Sequence, residues 1–559
     1  MPHFALDSWI YQTIAGQADK YETAGMTAQE MPKPQSLRWK YSTFEKMDLD
    51  PPLTCGNRFT LCADAIRECA RRAFSSIAYS LPEDQLETFA AIAHSSDASP
   101  NERFVAQTLF ENALEARNKI FPICQDTGTA LVYAWKGSRI DIEHDANLEH
   151  LLAEGAGMAY KEELLRNSQN GPISMTEERN TGDNLPAGIH IREVPGEKLL
   201  MLFAAKGGGS TSRTSLTLES PSILRPETLE QVLRERIRAL GPSGCPPYAI
   251  AVVLGGATPS QTLYAAELAA LGMLDDLPSS GDGSGTPIRD PEWESIILKL
   301  AAESGIGAQW GGMHMATTAR AIHLARHAAA LPLAVAVSCA ANRHMLVIAD
   351  RGGWYRQVLA EHIAEPKKEN DAHISSLQDA MRIVISRGSS SWLESLRMLP
   401  AGTMVILSGP VLVARDAAHA RILRIIEQEG KMPEWFMGLP VFYAGPTEAK
   451  PSQHSGAFGP TTASRMDSYL EPFMKYGASL VTIAKGNRSP LARDALRAYR
   501  GVYLAAIGGA AAMNAAYHIR NIETLAFSEL GMEAVRIVEL DNLPALVVID
   551  AKGKDFYPA

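Results

Sequence analysis

Positive charge is in short supply in this chain: 53 Lys and Arg stand against 63 Asp and Glu, for a formal net charge of −10. Binding nucleic acid or an anionic membrane needs a basic excess, so neither is an expected partner. Long apolar runs are also missing. The longest weakly polar stretch, 328–341, is shorter than a bilayer requires and contains Pro332, so no transmembrane helix is expected. No Lys or Arg precedes Lys20, and Asp7 is acidic, a pattern unlike a secretory leader or an Arg-rich transit peptide. A cytoplasmic location with reduced thiols is the expectation. Cysteine is scarce, six in 559 residues, and none of the spacings matches a compact zinc motif. There is no repeat of fixed period. The one low-complexity patch, 278–287, reads as a surface loop.

What is present is ordinary globular material, 46% hydrophobic and 21% charged, in a length suited to two to four domains. Apolar residues three and four apart predict helix over 57–116, broken at Pro82 and Pro100. Strand-like runs follow at 130–133, 199–204, 248–254 and 333–337, with helical stretches at 227–240 and 292–302. The segment 365–371 is charged, contains Pro366 and lacks a large apolar residue, as a linker would. Beyond it, runs at 405–407, 411–413, 480–483 and 503–507 alternate with loops and helices, and 546–549 closes the chain. The expected class is α/β and α+β multidomain: a mixed N-terminal domain (1–364), a linker (365–375) and a smaller C-terminal α/β domain (376–559).

The cysteines fall into two groups. Cys55, Cys62 and Cys69 are seven apart, which suits small buried residues on a helix face better than metal ligands three or four apart. Cys124, Cys245 and Cys339 instead sit in loop contexts, Ile123–Cys–Gln–Asp–Thr–Gly128, Pro242–Ser–Gly–Cys–Pro–Pro247 and Val337–Ser–Cys–Ala–Ala–Asn342. Separated by 121 and 94 residues, they are either core thiols or ligands that only the fold can bring together. Three converging thiolates with no fourth would suit a [4Fe–4S] cluster whose open iron is a Lewis acid.

Several segments match, in order, the class I, iron–sulfur fumarate hydratases. They include Ile123–Cys–Gln–Asp–Thr–Gly–Thr–Ala130, Asn180–Thr–Gly–Asp–Asn–Leu–Pro–Ala187, Lys206–Gly–Gly–Gly–Ser210, Cys245–Pro–Pro–Tyr248 and Gly307–Ala–Gln–Trp–Gly–Gly312. Val337–Ser–Cys339, Val413–Ala–Arg–Asp–Ala–Ala–His–Ala420, Gly459–Pro–Thr–Thr–Ala–Ser–Arg–Met–Asp–Ser–Tyr469, Ala484–Lys–Gly–Asn–Arg–Ser489 and Glu529–Leu–Gly–Met–Glu–Ala534 continue the series. The chain resembles that family from about Asn57 to Tyr557. The resemblance implies a homodimeric hydro-lyase interconverting (S)-malate and fumarate. Its cluster would be held by Cys124, Cys245 and Cys339 of the N-terminal domain, facing the C-terminal domain.

The same resemblance implies substrate-binding roles for Gln125, Arg166, Gly208, Gly209, Arg415, Arg465 and Lys485, with His327 supplied by the second subunit. Asp126 and Thr461 would handle protons. The residue types suit the chemistry, because a dicarboxylate dianion needs cations gathered locally in an acidic protein. Thr461 and Arg465, four apart after Gly459–Pro460, are expected on one face of a first helical turn with free N–H groups. Arg415 and Lys485 each follow a strand, and Gly207, Gly208 and Gly209 permit close backbone approach to an anion. Ser210–Thr–Ser–Arg213, Met313 and Asn342 depart from the usual family residues, which leaves tartrate or a methylated dicarboxylate such as mesaconate open as substrates. A non-enzymatic cluster-based sensor is the alternative from another class. Lys206–Gly–Gly–Gly–Ser lacks the spacing of a nucleotide phosphate loop.

Overall fold

A computed structural model describes residues 6–21, 43–56, 58–360 and 380–557. The expected linker, 365–375, lies outside them. The long apolar run at 199–204 has a simple cause: the strand Leu199–Lys206 is covered on both faces. Leu199, Met201 and Phe203 face one apolar cluster, and Leu200, Leu202 and Ala204 face another. This strand is internal to a six-stranded sheet ordered Phe44–Met47, Gly353–Gln357, Arg343–Asp350, Leu199–Lys206, Thr129–Gly137, Gly188–Val194. Leu331–Ser338 is likewise buried on both faces, within a five-stranded sheet ordered Ser215–Glu219, Leu331–Ser338, Tyr248–Gly256, Ala316–Arg326, Ile288–Arg289.

Helices fill the spaces around and between the two sheets. Pro259–Ala270 and the N-terminal helix Leu6–Tyr21 supply the core that the sheets share. Pro226–Leu240 and Pro291–Glu303 cover the far face of the five-stranded sheet. Ala63–Tyr79 and Leu148–Glu162 cover the far face of the six-stranded one. Ala63–Tyr79 buries Ile66, Cys69, Ala70, Ala73, Phe74 and Ile77, a helical stripe that accounts for Cys69 as a core thiol. Gly155 is required where these two helices cross, since a Cβ there would lie 2.4 Å from the Arg67 carbonyl oxygen. The expected helix from 57 begins late, because Arg58–Leu61 alternates exposed and buried side chains and forms a strand first.

The C-terminal part is mixed as expected, but its sheet closes on itself. Met404–Val413, Val441–Phe442, Val481–Ala484 and Val502–Ala505 run parallel. The 15-residue strand Val535–Ile549 then pairs antiparallel with both Val502–Ala505 and Met404–Val413. A strand of that length spans both partners and closes a ring of five strands, with Met381–Val384 and Ile519–Ala526 left as outer strands on Met404–Val413 and Val535–Ile549. The runs at 405–407 and 411–413 are one strand with a register shift between Leu407 and Gly409. The surrounding core takes in Leu86, Phe89, Phe104 and Leu109 from helices Glu83–His94 and Pro100–Ala116. Among the described residues no helix is long and apolar enough to cross a membrane.

Asn112, 1% exposed on the helix Pro100–Ala116, ties distant segments together. Its Nδ2 donates to the carbonyls of Ile123 and Gly509, both at 2.9 Å. Its Oδ1 accepts from the N–H groups of Ala512 (2.9 Å) and Met513 (3.1 Å). Asn112→Ala would strand these buried groups at a cost of roughly 1–3 kcal/mol per unsatisfied group. The urea unfolding midpoint should therefore fall clearly below that of the wild type; an unchanged midpoint would show that the tie is dispensable.

Candidate functional site

Strand register brings the three distant cysteine loops to one place. Tyr248–Gly256 and Leu331–Ser338 are antiparallel with Ala249 opposite Ser338, so the chain entering one strand meets the chain leaving the other. Cys245 and Cys339 stand at that junction, and the Ala340 N–H donates to the Cys245 carbonyl at 2.9 Å. In the six-stranded sheet Thr129 pairs with Lys206 and Ala205 with Arg343. The Cys124 loop, the Gly207–Gly209 loop and the Asn342–Arg343 segment therefore gather at a common sheet end. Ile123, pinned by hydrogen bonds to Ala78 and Asn112, fixes the position of Cys124.

The thiols sense one another. Burial pushes the Cys245 thiol up to about 12; the Lys485 ammonium opposes this, and Cys339 and Cys124 add to it. Burial also raises the Cys124 thiol, against the pull of Arg343 and Lys485. All three cysteines are free. Among the described residues no group of three His, Cys, Asp or Glu closes round a single metal ion. A mononuclear site would need every sulfur about 2.3 Å from one centre, whereas a multi-iron cluster accepts a wider triangle of thiolates. Three thiols with cationic donors beside them, and no fourth thiol joining them among the described residues, fit an anionic iron–sulfur cluster.

The C-terminal part meets this end from the other side. Lys485 follows Val481–Ala484, and Arg415 follows the parallel strand Met404–Val413, placing both at strand carboxyl ends. Lys485 Nζ donates to Cys245 Sγ at 2.7 Å. Burial opposes its charge, but Cys245 and Cys124 hold its pKa above the ordinary lysine value. A Cβ at Gly508 would lie 2.3 Å from Cys245 Sγ, so glycine is what admits the contact. Gln125, 1% exposed, donates from Nε2 to the Pro460 carbonyl at 3.0 Å, a second link between the halves.

The arginines expected to bind substrate are partly unmatched among the described residues. Arg415 is 2% exposed; its Nη2 meets Glu533 at 3.1 Å, while its Nε has no acceptor among the described residues. Burial, with the nearby Arg166 charge, pushes its pKa down to about 10. Arg166 also has a buried Nε without an acceptor, and its backbone N–H donates to Thr127 Oγ1. Asp126 accepts the Gly208 N–H at 2.8 Å. Burial opposes its charge, but Arg166, Arg343, Lys485 and this N–H hold its pKa below the usual carboxylate value. Gly209 stands against Lys485: a Cβ there would lie 3.2 Å from Nζ.

Thr461 and Arg465 do not share the helical turn expected of them. Thr461 lies in extended backbone between two neighbours: its N–H donates to the Tyr443 carbonyl at 2.7 Å, and its carbonyl accepts from Lys485 N–H at 3.0 Å. Only Ala463–Met466 turns, as a 3₁₀ segment before the helix Asp467–Met474. Backbone pairing with the strand ends prevails over the Gly–Pro start signal. Thr461 Oγ1 donates to the Tyr443 carbonyl at 3.0 Å, and the half-exposed Arg465 pairs with Asp416 at 2.6 Å. His327 is not brought to this site within its own chain. It is exposed in the turn before Leu331–Ser338, and Cys339 follows the other end of that eight-residue strand, roughly 25 Å away at about 3.3 Å per residue.

Sequence reasoning passed over several supporting residues. Buried Gln309 donates to the carbonyls of Pro246 (3.0 Å) and Gly508 (2.9 Å) and accepts the Gly508 N–H (2.7 Å), clamping the Cys245 loop. Its place in Gly307–Ala–Gln–Trp–Gly–Gly312 was the available signal. Arg488 is fully buried on Asp467 (2.9 Å) and Thr482 (2.8 Å), stiffening the loop after Lys485. Within Arg415–Asp–Ala–Ala–His419, His419 is enclosed by Phe436, Tyr443, Tyr469 and Phe473. Burial lowers its pKa to about 3, so it is a neutral core ring.

Comparison with known proteins places the chain in a family. A family model described as Fumarate hydratase (Fumerase) matches residues 67–348, and one described as Fumarase C-terminus matches 353–559. The chain is 41% identical over 495 residues to Fumarate hydratase 2 of Leishmania major, covering 88% of this chain and 86% of that protein. It is 37% identical over 494 residues to the anaerobic class I fumarate hydratase of Escherichia coli (strain K12), covering 88% and 90%. A shorter likeness, 32% identity over 169 residues, relates 29% of this chain to 86% of a putative L(+)-tartrate dehydratase subunit beta of Methanocaldococcus jannaschii. With both family models in order along the chain and relatives of this identity over most of its length, it belongs to the class I fumarate hydratase family.

Proposed function

We propose that this chain is a hydro-lyase that interconverts (S)-malate and fumarate, with Cys124, Cys245 and Cys339 as the ligands of a [4Fe–4S] cluster. The observation that carries the reading is the meeting of three free thiols with Lys485 and with buried arginines that have nitrogens lacking an acceptor among the described residues. When bound, such a cluster supplies a Lewis-acid iron with an open coordination position. Residues up to 364 form the cluster-bearing part, and 376–559 form the smaller, substrate-binding domain. The enzyme acts as a cytoplasmic homodimer, with His327 of the partner subunit completing each site.

The residues divide the work by charge and hydrogen-bonding capacity. Arg166, Arg415, Arg465 and Lys485 bind the two carboxylates, and the unmatched Nε atoms of Arg166 and Arg415 find their acceptors there. Gln125 and the backbone at Gly208 and Gly209 orient the dianion. As the C3 proton leaves malate, negative charge grows on the adjacent carboxylate, and cations already in place stabilise it without reorganisation. Asp126 is held ionised, and Thr461 donates its hydroxyl proton to the Tyr443 carbonyl. Both therefore face substrate as acceptors, the state needed for proton removal. A second reading, tartrate dehydration, is favoured by the 169-residue likeness to the putative tartrate dehydratase subunit.

Anaerobically purified protein should show a broad iron–sulfur absorption band and convert malate to an ultraviolet-absorbing product. An intact cluster without turnover of malate, fumarate, tartrate or mesaconate would reject catalysis. Turnover of tartrate alone would select the second reading. Cys124→Ser, Cys245→Ser and Cys339→Ser should each lose cluster iron, while Cys62→Ser retains it; retention in any of the first three would remove that residue from the ligand set. Arg465→Ala should keep the cluster and lower kcat by about 10²–10³-fold, the usual cost of one charge-stabilising donor; near-normal kinetics would exclude Arg465 from the site.

A further inference from the structure

Unmatched positive charge also collects outside the residues assigned above. Arg343 opens the strand Arg343–Asp350 and is 2% exposed, yet its Nε and Nη1 have no acceptor among the described residues. The preceding Asn342 engages His344 Nδ1 through Oδ1 at 3.0 Å and leaves its buried Nδ2 without a partner among the described residues. Both residues line a small cavity of ≈ 20 Å³ together with Cys339, Lys206 and Ser210. Lys206 Nζ reaches Thr214 Oγ1 at 3.3 Å, so this wall contains further donors and no carboxylate except Glu267. The Glu267 carboxylate accepts from Tyr133 OH at 3.0 Å. The Arg343 charge acts on Cys124 and Asp126, but neither accepts a hydrogen bond from the two unmatched nitrogens.

A guanidinium withdrawn from water without an anion to receive its hydrogen bonds is strongly unfavourable. Consecutive residues three and four positions after a ligand cysteine therefore present donors that need an anionic acceptor from outside the chain. Thiolate and sulfide sulfurs are such acceptors, and hydrogen bonds to them tune the potential and the retention of a cluster. We infer that Arg343, assisted by Asn342, is a positioning residue that donates hydrogen bonds to the sulfurs of the cluster and balances its negative charge. The inference rests on the assignment of Cys124, Cys245 and Cys339 as its ligands.

The test compares anaerobically reconstituted wild type with Arg343→Gln, Arg343→Lys and Asn342→Leu. Iron and sulfide content, the rate of iron loss in air, and the one-electron potential from an EPR-monitored dithionite titration are the readouts. Arg343→Gln should bind the cluster, shift its potential to more negative values and lose iron several-fold faster. Arg343→Lys, which keeps the charge but not the planar fork, should fall between it and wild type, and Asn342→Leu should shift the potential less in the same direction. A wild-type potential and iron-loss rate in Arg343→Gln, with only KM raised, would overturn the inference and assign Arg343 to a substrate carboxylate. If circular dichroism shows Arg343→Gln unfolded, unchanged potentials in both other variants would overturn it equally. Folded wild type that takes up neither iron nor sulfide would instead defeat the cluster assignment itself.

Discussion

Buried guanidinium nitrogens with no acceptor among the described residues are the constraint around which this molecule is organised. Arg166, Arg343 and Arg415 all carry buried nitrogens with no acceptor among the described residues, in a chain whose net charge is −10. Lys485 is buried against a cysteine sulfur rather than a carboxylate. Such groups destabilise a folded chain unless something outside it supplies negative charge. The proposed dicarboxylate and anionic cluster would together meet that need, and the same unpaired donors would then strengthen the grip on both.

Holding those groups in place is the task of the surrounding scaffold. Two sheets covered on both faces fix their strand ends rigidly, because every side chain on Leu199–Lys206 and Leu331–Ser338 has a packed neighbour or lies at the site. The C-terminal sheet reaches the same stiffness by closing on itself through Val535–Ile549. Polar clamps then cross between the parts: Asn112 to Gly509 and Met513, Gln309 to Gly508, and Gln125 to Pro460. Each is buried and well satisfied, so the relative position of the loops is held by hydrogen bonds that tolerate little displacement.

Much of this was legible in the residues. The apolar runs at 130–133, 199–204, 248–254 and 333–337 are all strands, since continuous hydrophobicity over a short span bounded by Gly and Pro has few other outcomes. The strands before Arg415 and Lys485 were legible too, and the structure puts both residues at strand carboxyl ends. Local signals failed where a distant partner decided the backbone. Thr461 follows a Gly–Pro pair that favours a helix, yet it pairs with Tyr443 and Lys485, neither near it in sequence. Strand Arg58–Leu61 is hidden within a helical pattern because four residues are too few for their alternation to stand out.

The chain by itself determined composition, the strand and helix inventory, the motif order and the family, because these depend on residue type and short spacing. It also supplied the chemistry: three thiols and a set of arginines and lysines at loop positions. Only the tertiary structure decided which of those groups meet. Opposing Ala249 to Ser338 joins Cys245 to Cys339, and opposing Ala205 to Arg343 brings that guanidinium to the Cys124 end. Register is set by which faces of which strands find apolar cover, a property of the whole packed chain. Residues separated by 121 and 94 positions thus become neighbours for reasons that no local pattern contains.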